Sequence, residues 1–251
     1  MLRAFAAIVF AMVDNADMNA EIWKSDEVIR EWAAMASVRE RQRVGHWRMM
    51  GELLPFGETD GFTFLDLGAG TGPASKTLLE MYPNSNAILA EFSPPMIAEG
   101  TRDLEPFAGR FRYVEFDMLE GTWPDAIPNS VDAVITSLCI HHMPDDRKKG
   151  LFAEIFERLV PGGWYVNYDP VTTEDPVVSA AWQRTNDRDN PDAEHRRHNR
   201  TPLEQARYEN HVRYMIPLEK QLAYFRDAGF EGVDVYWKRL ENVIYGGRRP
   251  V

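Results

Sequence analysis

The chain has 251 residues, 39 acidic and 28 basic side chains, and a formal net charge of −11. This length suits one sizeable α/β domain, and the negative charge opposes binding to a polyanion, so we expect no nucleic acid partner. A single cysteine, Cys139, excludes an internal disulfide and predicts a reducing, cytoplasmic setting. The apolar stretch at residues 1–12 is too short to span a membrane, and we expect no membrane partner.

Two helices are predicted before residue 55. The first begins near Ser25, and the second runs from Ser37 to Leu54. The predicted apolar face of the second helix comprises Val44, Trp47, Met50 and Leu54. The simpler role for Trp23, Trp32 and Trp47 is to pack the helices onto the sheet. The alternative is an aromatic lid over a site. Apolar N-terminal helices are also compatible with a homodimer.

A glycine-rich turn follows the first predicted strand. In residues 64–72, Gly68, Gly70 and Gly72 alternate with other residues, and a helix is predicted to follow. Because glycine has no Cβ, this backbone can approach a ligand closely, and the helix presents free N–H groups to it. A tight turn without a ligand is the alternative. The dinucleotide fingerprint G-x-G-x-x-G is not met, since Pro73 stands where it needs glycine or alanine.

Acidic residues follow the next two predicted strands. Residues 87–90 lead into Glu91, and residues 111–116 lead into Asp117. Ligands bind at the carboxyl ends of the strands in an open α/β sheet. A carboxylate can accept two hydrogen bonds from a vicinal diol, which no neutral side chain can do. A solvated strand end explains either acid alone, whereas their placement on consecutive strands indicates a shared ligand site.

These segments together resemble the class I S-adenosylmethionine (SAM) dependent methyltransferases, over about residues 62–249. Residues 64–72 are similar to the family's motif I, and residues 92–96 resemble its D-x-S-x-x-M segment. The later matches are the fourth strand with the segment beside the sulfonium centre (131–143), a Pro-Gly-Gly turn (161–163) and a C-terminal antiparallel hairpin (233–247).

The resemblance implies the fold class. We expect an α/β domain with a doubly wound, seven-stranded, mainly parallel sheet of order 3-2-1-4-5-7-6, in which the last strand is antiparallel. Helices would cover both faces of the sheet. Residues 1–55 would form a helical cap on the domain of residues 56–251, which carries an insert at about 170–216 after the fifth strand. The alternation of apolar strands with helical segments independently favours a parallel sheet.

The resemblance also implies SAM as the cofactor. Glu91 would bind both ribose hydroxyls, Phe92 and Met96 would cover the adenine, and Asp117 with Met118 would lie near the adenine amino group. The implied cofactor-binding residues are Asp66, Gly68, Gly70, Gly72, Glu91, Phe92, Met96, Asp117, Met118 and Ser137.

Two histidines are the candidate catalytic residues. Methyl transfer needs mainly placement, because the sulfonium donor already carries its leaving group, but a protonated oxygen or nitrogen acceptor also needs a base. His141 and His142 follow the fourth strand beside the expected methyl group, and neutral imidazole suits this role. A loop histidine bonded to backbone is the alternative for each. No metal is expected on His141, His142 and Asp169, since adjacent histidines seldom converge on one ion.

The insert exceeds what the fold needs and is expected to shape the acceptor pocket. It contains a basic run at residues 195–200, for which a solvated helix face is the simpler explanation. An inward-pointing arginine would instead clamp an acidic acceptor, since the guanidinium fork suits a carboxylate. The expected acceptor-binding residues are Trp47, Tyr168, Asp169, Arg200, His211 and Tyr214.

The leading hypothesis is a SAM-dependent methyltransferase that methylates an oxygen or nitrogen of a small organic molecule, with an acidic acceptor favoured by the arginines. One alternative is an enzyme similar to the carboxy-SAM synthases, which modify SAM itself and would need an arginine at the new carboxylate of the donor. The other alternative is a SAM-binding protein without catalysis.

Overall fold

A seven-stranded sheet of order β3-β2-β1-β4-β5-β7-β6 forms the centre of the molecule, as the sequence predicts. The computed structural model describes Lys24 and residues 36–251, so the predicted helix from Ser25 and the apolar stretch at 1–12 lie outside the described residues. β7 runs antiparallel to its neighbours β5 and β6, and the other pairings are parallel. The strands are β1 (Thr63–Leu67), β2 (Asn86–Glu91), β3 (Phe111–Glu115), β4 (Val131–Ser137), β5 (Leu159–Pro170), β6 (Glu231–Arg239) and β7 (Asn242–Arg248).

Helices connect the strands. The described helices are α1 (Ala36–Glu52), α2 (Pro73–Met81), α3 (Pro94–Asp103), α4 (Asp145–Arg158), α5 (Pro176–Asp189), α6 (Ala193–His198), α7 (Pro202–Arg213) and α8 (Leu218–Asp227). A 3₁₀ turn at Ile140–His142 follows β4. Helices α5 to α7 lie between β5 and α8, in the segment that the sequence analysis treats as an insert. No helix within residues 36–251 combines the length and the apolar character needed to cross a membrane.

The central strands are apolar on both faces. Leu65 and Leu67 of β1 pack into one core layer, whereas Phe64 packs into the other, because successive side chains of a strand point to opposite faces. Leu65 pairs with Ile88 of β2 and with Val134 of β4 in parallel register. With both faces covered by apolar contacts, the carboxyl ends of the strands are the places left for polar side chains.

Helix α1 packs on the sheet through a narrower stripe than the sequence analysis predicts. Trp47, Met50 and Leu54 are buried, but Val44 is 37% exposed, so its assignment to the apolar face is wrong. At 3.6 residues per turn, Val44 lies about 120° around the axis from Met50, whereas Arg43 lies within about 20° of it. Arg43 therefore faces inward in place of Val44.

Candidate active site

A cavity of about 460 Å³ opens at the carboxyl ends of β1, β2 and β4. It brings together thirteen of the eighteen predicted site residues, and adds Arg43, which sequence reasoning missed. The thirteen are Trp47, Asp66, Gly68, Gly70, Glu91, Phe92, Met96, Asp117, Met118, Ser137, His141, His142 and His211. Gly72, Tyr168, Asp169, Arg200 and Tyr214 do not line it.

The glycine turn between β1 and α2 forms one wall of the cavity. At Gly70, where φ is +57°, an added Cβ would meet nothing within 4 Å, because it would project into the cavity. At Gly68 an added Cβ would lie 2.1 Å from the Cys139 Sγ. Glycine is therefore required here, because any side chain would collide with the loop that follows β4. Gly72 is the N-cap residue of α2, and an added Cβ there would lie 2.8 Å from a side-chain carbon of Leu104. Gly72 therefore faces the packed interior and does not line the cavity.

Glu91 ends β2 at the centre of this wall. Its Oε2 accepts the Gly70 N–H at 2.8 Å, and its Oε1 accepts the N–H groups of Phe92 and Ser93, each at 3.0 Å. Burial raises the pKa of the Glu91 carboxyl, and these three hydrogen bonds oppose the rise. The backbone therefore fixes a carboxylate against the cavity.

Asp66 is a second acid on the same wall. It is 1% exposed, and its Oδ2 accepts the Ser75 hydroxyl at 2.7 Å. Its Oδ1 is buried and has no hydrogen-bond partner among the described residues. Burial raises the pKa of Asp66 to about 7. A ligand donor would supply the partner that this oxygen lacks.

The far end of this wall combines apolar side chains with one acid. Phe92, Met96 and Met118 line the cavity together with Asp117, whose Oδ1 accepts the Leu119 N–H at 2.9 Å. Arg147 holds this loop: its Nε donates to the Met118 carbonyl at 2.6 Å. The same guanidinium makes two hydrogen bonds of 2.8 Å to the carboxylate of Glu154 within α4.

Three further residues of the cavity lining are histidines. His141 and His142 come from the 3₁₀ turn after β4, and His211 comes from the last turn of α7. The ring centroid of His141 lies 3.9 Å from that of His142 and 4.5 Å from that of His211. One nitrogen from each of the three lies within 4.8 Å of the others, which is a spacing that a metal ion could use. We call these residues the histidine cluster.

Asp169 lies behind the histidine cluster. Its Oδ1 is 2.7 Å from the Nδ1 of His141. The other ring nitrogen of His141, Nε2, has no hydrogen-bond partner among the described residues. The Nδ1 of His142 is likewise buried and unpartnered within that part of the chain. Burial lowers the pKa of His141 to about 3 and that of His211 to about 4, and it raises the pKa of Asp169. The three imidazoles are therefore neutral at physiological pH.

A buried lysine holds α7 against α4. Lys148 is fully buried, and its Nζ donates to the carbonyl oxygen of Tyr214, the residue that ends α7. This contact explains why Tyr214 contributes its backbone rather than a side chain in the cavity. Because α7 also carries His211, Lys148 fixes the helix that completes the histidine cluster.

Arg43 and Trp47 of α1 complete the cavity on the side of the histidine cluster. The Trp47 Nε1–H donates to the Ser137 Oγ at 2.9 Å, which ties α1 to the end of β4. Burial lowers the pKa of the Arg43 guanidinium, and within residues 36–251 no carboxylate pairs with it. The available signal for Arg43 was its position one helical turn before Trp47, on the buried stripe of α1.

The other expected acceptor residues lie outside the cavity. Tyr168 is buried behind it, with its ring stacked on that of His46 at a centroid distance of 4.8 Å. The Arg200 guanidinium lies 3.6 Å from the ring centroid of Tyr208, so it packs within the insert instead of pointing inward. The arginine that reaches the cavity comes from α1.

Comparisons of the sequence with known proteins find methyltransferases. The family model described as "Methyltransferase domain" matches residues 64–163. The sterol 24-C-methyltransferase erg6 of Aspergillus fumigatus is 28% identical over 177 residues, which are 70% of this chain and 41% of that protein. The demethylmenaquinone methyltransferase of Thermus thermophilus is 33% identical over 99 residues, which are 39% of this chain and 43% of that protein. The chain spans less than half the length of these curated relatives.

Solved structures share the fold. The structure described as "PigF with SAH", in which SAH is S-adenosylhomocysteine, has a TM-score of 0.63 at 15% identity. The match covers 91% of this chain and 61% of that chain. At this identity the likeness concerns the fold alone.

Proposed function

The chain belongs to the class I SAM-dependent methyltransferases, and we propose that it transfers the methyl group of SAM to an oxygen or nitrogen of a small, acidic acceptor. The observation that carries the proposal is one cavity, among the described residues, that brings the acids of β1 and β2 together with Arg43 and the histidine cluster. The wall with Gly70, Asp66 and Glu91, which we call the donor side, suits a nucleoside with an ammonium group. The wall with Arg43, Trp47 and the histidine cluster, which we call the acceptor side, suits an anion.

The donor side fits SAM in shape and charge. The space beside Gly70 would admit the donor close to the backbone, and Glu91 would accept hydrogen bonds from the ribose hydroxyls. The unpartnered Oδ1 of Asp66 would accept from the ammonium group of SAM. Phe92, Met96, Asp117 and Met118 would surround the adenine.

The acceptor side contains an unpaired positive charge. Removing a guanidinium from water is costly unless a charged partner compensates for it, and the described residues supply none for Arg43. An anionic group on the acceptor would supply this partner, with the bidentate geometry that arginine offers to a carboxylate. We propose Arg43, in place of Arg200, as the residue that selects an acidic acceptor.

The histidine cluster is placed to activate the acceptor. We propose that His141 and His142, together with His211, favour loss of the acceptor's proton, and that Asp169 orients His141 through its Nδ1. The methyl acceptor then attacks the methyl carbon of the sulfonium in line, and the cavity holds the two reacting groups together.

A small molecule is the proposed partner, and nucleic acid is not. A formal charge of −11 repels a polyanion, whereas a small acid needs only the local charge of Arg43. The cavity volume of about 460 Å³ is within the usual range for small-molecule sites.

The test is methyl transfer from isotopically labelled SAM to a panel of small hydroxy and amino acids and their methyl esters. We expect acids to be methylated in preference to esters. In Arg43→Met, KM for the acids should rise about 10- to 100-fold, which corresponds to a lost charged hydrogen bond of roughly 1.5–3 kcal/mol, while the low activity on esters persists. Arg48→Met, an exposed site on the same helix, is the matched control. If Arg43→Met and Arg48→Met have the same KM for the acids, the proposed role of Arg43 is contradicted.

The position of Arg43 also favours a second candidate function. A guanidinium that lines the cavity proposed for SAM, and that has no carboxylate partner within residues 36–251, is what a carboxy-SAM synthase-like enzyme requires for the new carboxylate of its donor. Mass spectrometry of small molecules released by denaturing freshly purified protein separates the two. SAM or SAH supports methyl transfer, and a carboxymethyl sulfonium species supports the second candidate.

A further inference from the structure

We propose that His141, His142 and His211 bind one divalent transition-metal ion, such as Zn²⁺, on the acceptor side of the cavity. Ion binding depends only on the chain's own side chains. The use of the ion to activate the acceptor rests on the proposed function.

Adjacent histidines seldom converge on one ion, but the 3₁₀ turn holds the ring centroids of His141 and His142 only 3.9 Å apart. With His211, the spacing of the three rings is close to what an ion needs. One nitrogen from each histidine lies within 4.8 Å of the other two. Three nitrogens at Zn–N distances of about 2.0–2.1 Å and tetrahedral angles lie about 3.3 Å apart, so side-chain rotations that close the cluster by up to about 1.5 Å complete the site. The 3₁₀ turn fixes two of the ligands, and Lys148 holds the helix that brings the third.

Two nitrogens of the histidine cluster have no hydrogen-bond partner in the part of the chain that the structure describes. The His141 Nε2 and the His142 Nδ1 are both buried and make no hydrogen bond there. Buried polar atoms are nearly always paired in proteins, so two unpartnered nitrogens on neighbouring rings need an explanation. A general base would use one imidazole, whereas an ion would use all three. Imidazole is a ligand that suits zinc, copper, iron and nickel.

The outer contact of His141 is the one that metal-binding histidines commonly make. Its Nδ1 lies 2.7 Å from the Oδ1 of Asp169, a fully buried carboxylate. Such a carboxylate fixes the ring and leaves the Nε2 lone pair for the ion.

Three protein ligands would leave one coordination position open toward the cavity, as in catalytic zinc sites. An acceptor hydroxyl bound there would lose its proton to water more readily, because the ion stabilises the resulting oxygen anion. That oxygen forms the new O–CH₃ bond, the electrons of the C–S bond return to sulfur, and neutral SAH leaves. Arg43 would hold the acid group of the same acceptor, so the two cations together favour a hydroxy acid.

Cobalt binding tests this proposal. Tag-free, full-length protein is stripped with EDTA, and Co²⁺ binding is followed by equilibrium dialysis and by the visible absorption of the bound ion. We expect one Co²⁺ per chain, displaced by Zn²⁺. Binding should be lost in His142→Ala and His211→Ala and be about 10- to 100-fold weaker in Asp169→Asn, since outer-shell partners of metal ligands have effects of this size. His195→Ala, at an exposed histidine of α6, is the matched control and should bind like the wild type.

SAH affinity, measured by calorimetry in each variant, verifies folding, and His211→Gln replaces the alanine variant if that one does not fold. Wild-type protein that binds SAH but no Co²⁺, or His211 and His195 variants that bind Co²⁺ equally, would overturn the metal site and leave the proposed function intact. Wild-type Co²⁺ binding without any affinity for SAM or SAH would support the metal site and contradict the proposed function.

Discussion

The three glycines after β1 lack side chains for different reasons. Gly68 leaves room for Cys139, and Gly72, at the start of α2, leaves room for Leu104. Gly68 and Gly70 both line the cavity, but of these three glycines only Gly70 has open space where a Cβ would be. A substitution at Gly68 or Gly72 therefore acts on the fold, whereas a substitution at Gly70 acts on the ligand. This difference makes Gly70 the residue at which SAM binding can be separated from stability.

We predict that Gly70→Val abolishes SAH binding and costs only modest stability. The new side chain fills cavity space, and its positive φ adds strain of roughly 1–2 kcal/mol. Gly109→Val is the matched control, because Gly109 also has a positive φ and open space but lies away from the cavity. Thermal unfolding with and without SAH measures both effects. A normal SAH-induced rise in melting temperature in Gly70→Val would contradict this assignment.

Glu91→Gln should weaken SAM binding about 10- to 100-fold, because charge-assisted hydrogen bonds contribute about 1.5–3 kcal/mol. Glu115→Gln is the matched control: Glu115 pairs in register with Glu91 on the next strand but is exposed. Competition of each variant with a fluorescent SAH analogue gives the two affinities. If both variants bind as tightly as the wild type, Glu91 does not hold the ribose.

The pKa of Asp66, raised by burial to about 7, predicts pH-dependent SAM affinity. Above pH 7 Asp66 is a carboxylate that attracts the ammonium group of SAM, and below pH 7 it is neutral. Affinity should therefore fall as pH drops from 8 to 6, by at most about tenfold per unit. Asp66→Asn should retain only the smaller dependence contributed by Glu91. Calorimetry at pH 6, 7 and 8 checks this, and a flat profile in the wild type would exclude Asp66 from SAM binding.

At the scale of elements, the connection between α7 and α4 positions His211. In Lys148→Met the Tyr214 carbonyl loses its partner, so the free energy of unfolding should fall by about 1–3 kcal/mol. Amide hydrogen exchange in α7 should also become faster, because the end of the helix is released. Lys149→Met, which removes an exposed ion pair with Asp227, should leave both quantities unchanged. Equal exchange rates in the two variants would show that Lys148 does not hold α7.

The sequence was most informative for elements whose contacts are local. Apolar strands, the glycine turn and the acid after β2 follow from residue types and spacing. The sheet order, which the structure confirms, follows only from the family resemblance. The roles of the donor-side residues also come from that resemblance and stay predictions. The acceptor side depends on helices that meet only in the folded chain. Arg43 and His211 are far apart in the chain, yet both line one cavity. No local sequence pattern indicates that these two residues meet there.

Arg200 shows the limit of reasoning from charge runs. Its segment is basic, yet its guanidinium packs on Tyr208, an exposed residue of α7 that follows it closely in the chain. A local aromatic ring thus holds the arginine that the sequence assigned to the acceptor. Helix geometry on α1, which excludes Val44 from the buried stripe, would have pointed to Arg43 instead.

At the scale of the whole molecule, charge is distributed unevenly. The chain is strongly acidic overall, but the acceptor side of the cavity combines Arg43, which has no charged partner among the described residues, with imidazoles whose pKa burial lowers. The donor side carries Asp66, Glu91 and Asp117, and one further acid, Glu241, also lines the cavity. A cationic donor would be drawn to the acids of the donor side and an anionic acceptor to Arg43, which brings the methyl group and its acceptor together in one cavity.

The most direct test of this account is a calorimetric titration of SAM into the full-length chain and into its Gly70→Val and Gly109→Val variants. We predict one SAM per chain, displaced by SAH, with binding lost in Gly70→Val and kept in Gly109→Val. Absence of SAM binding in the wild type, or equal binding by both variants, would contradict the assignment of this cavity as the SAM site.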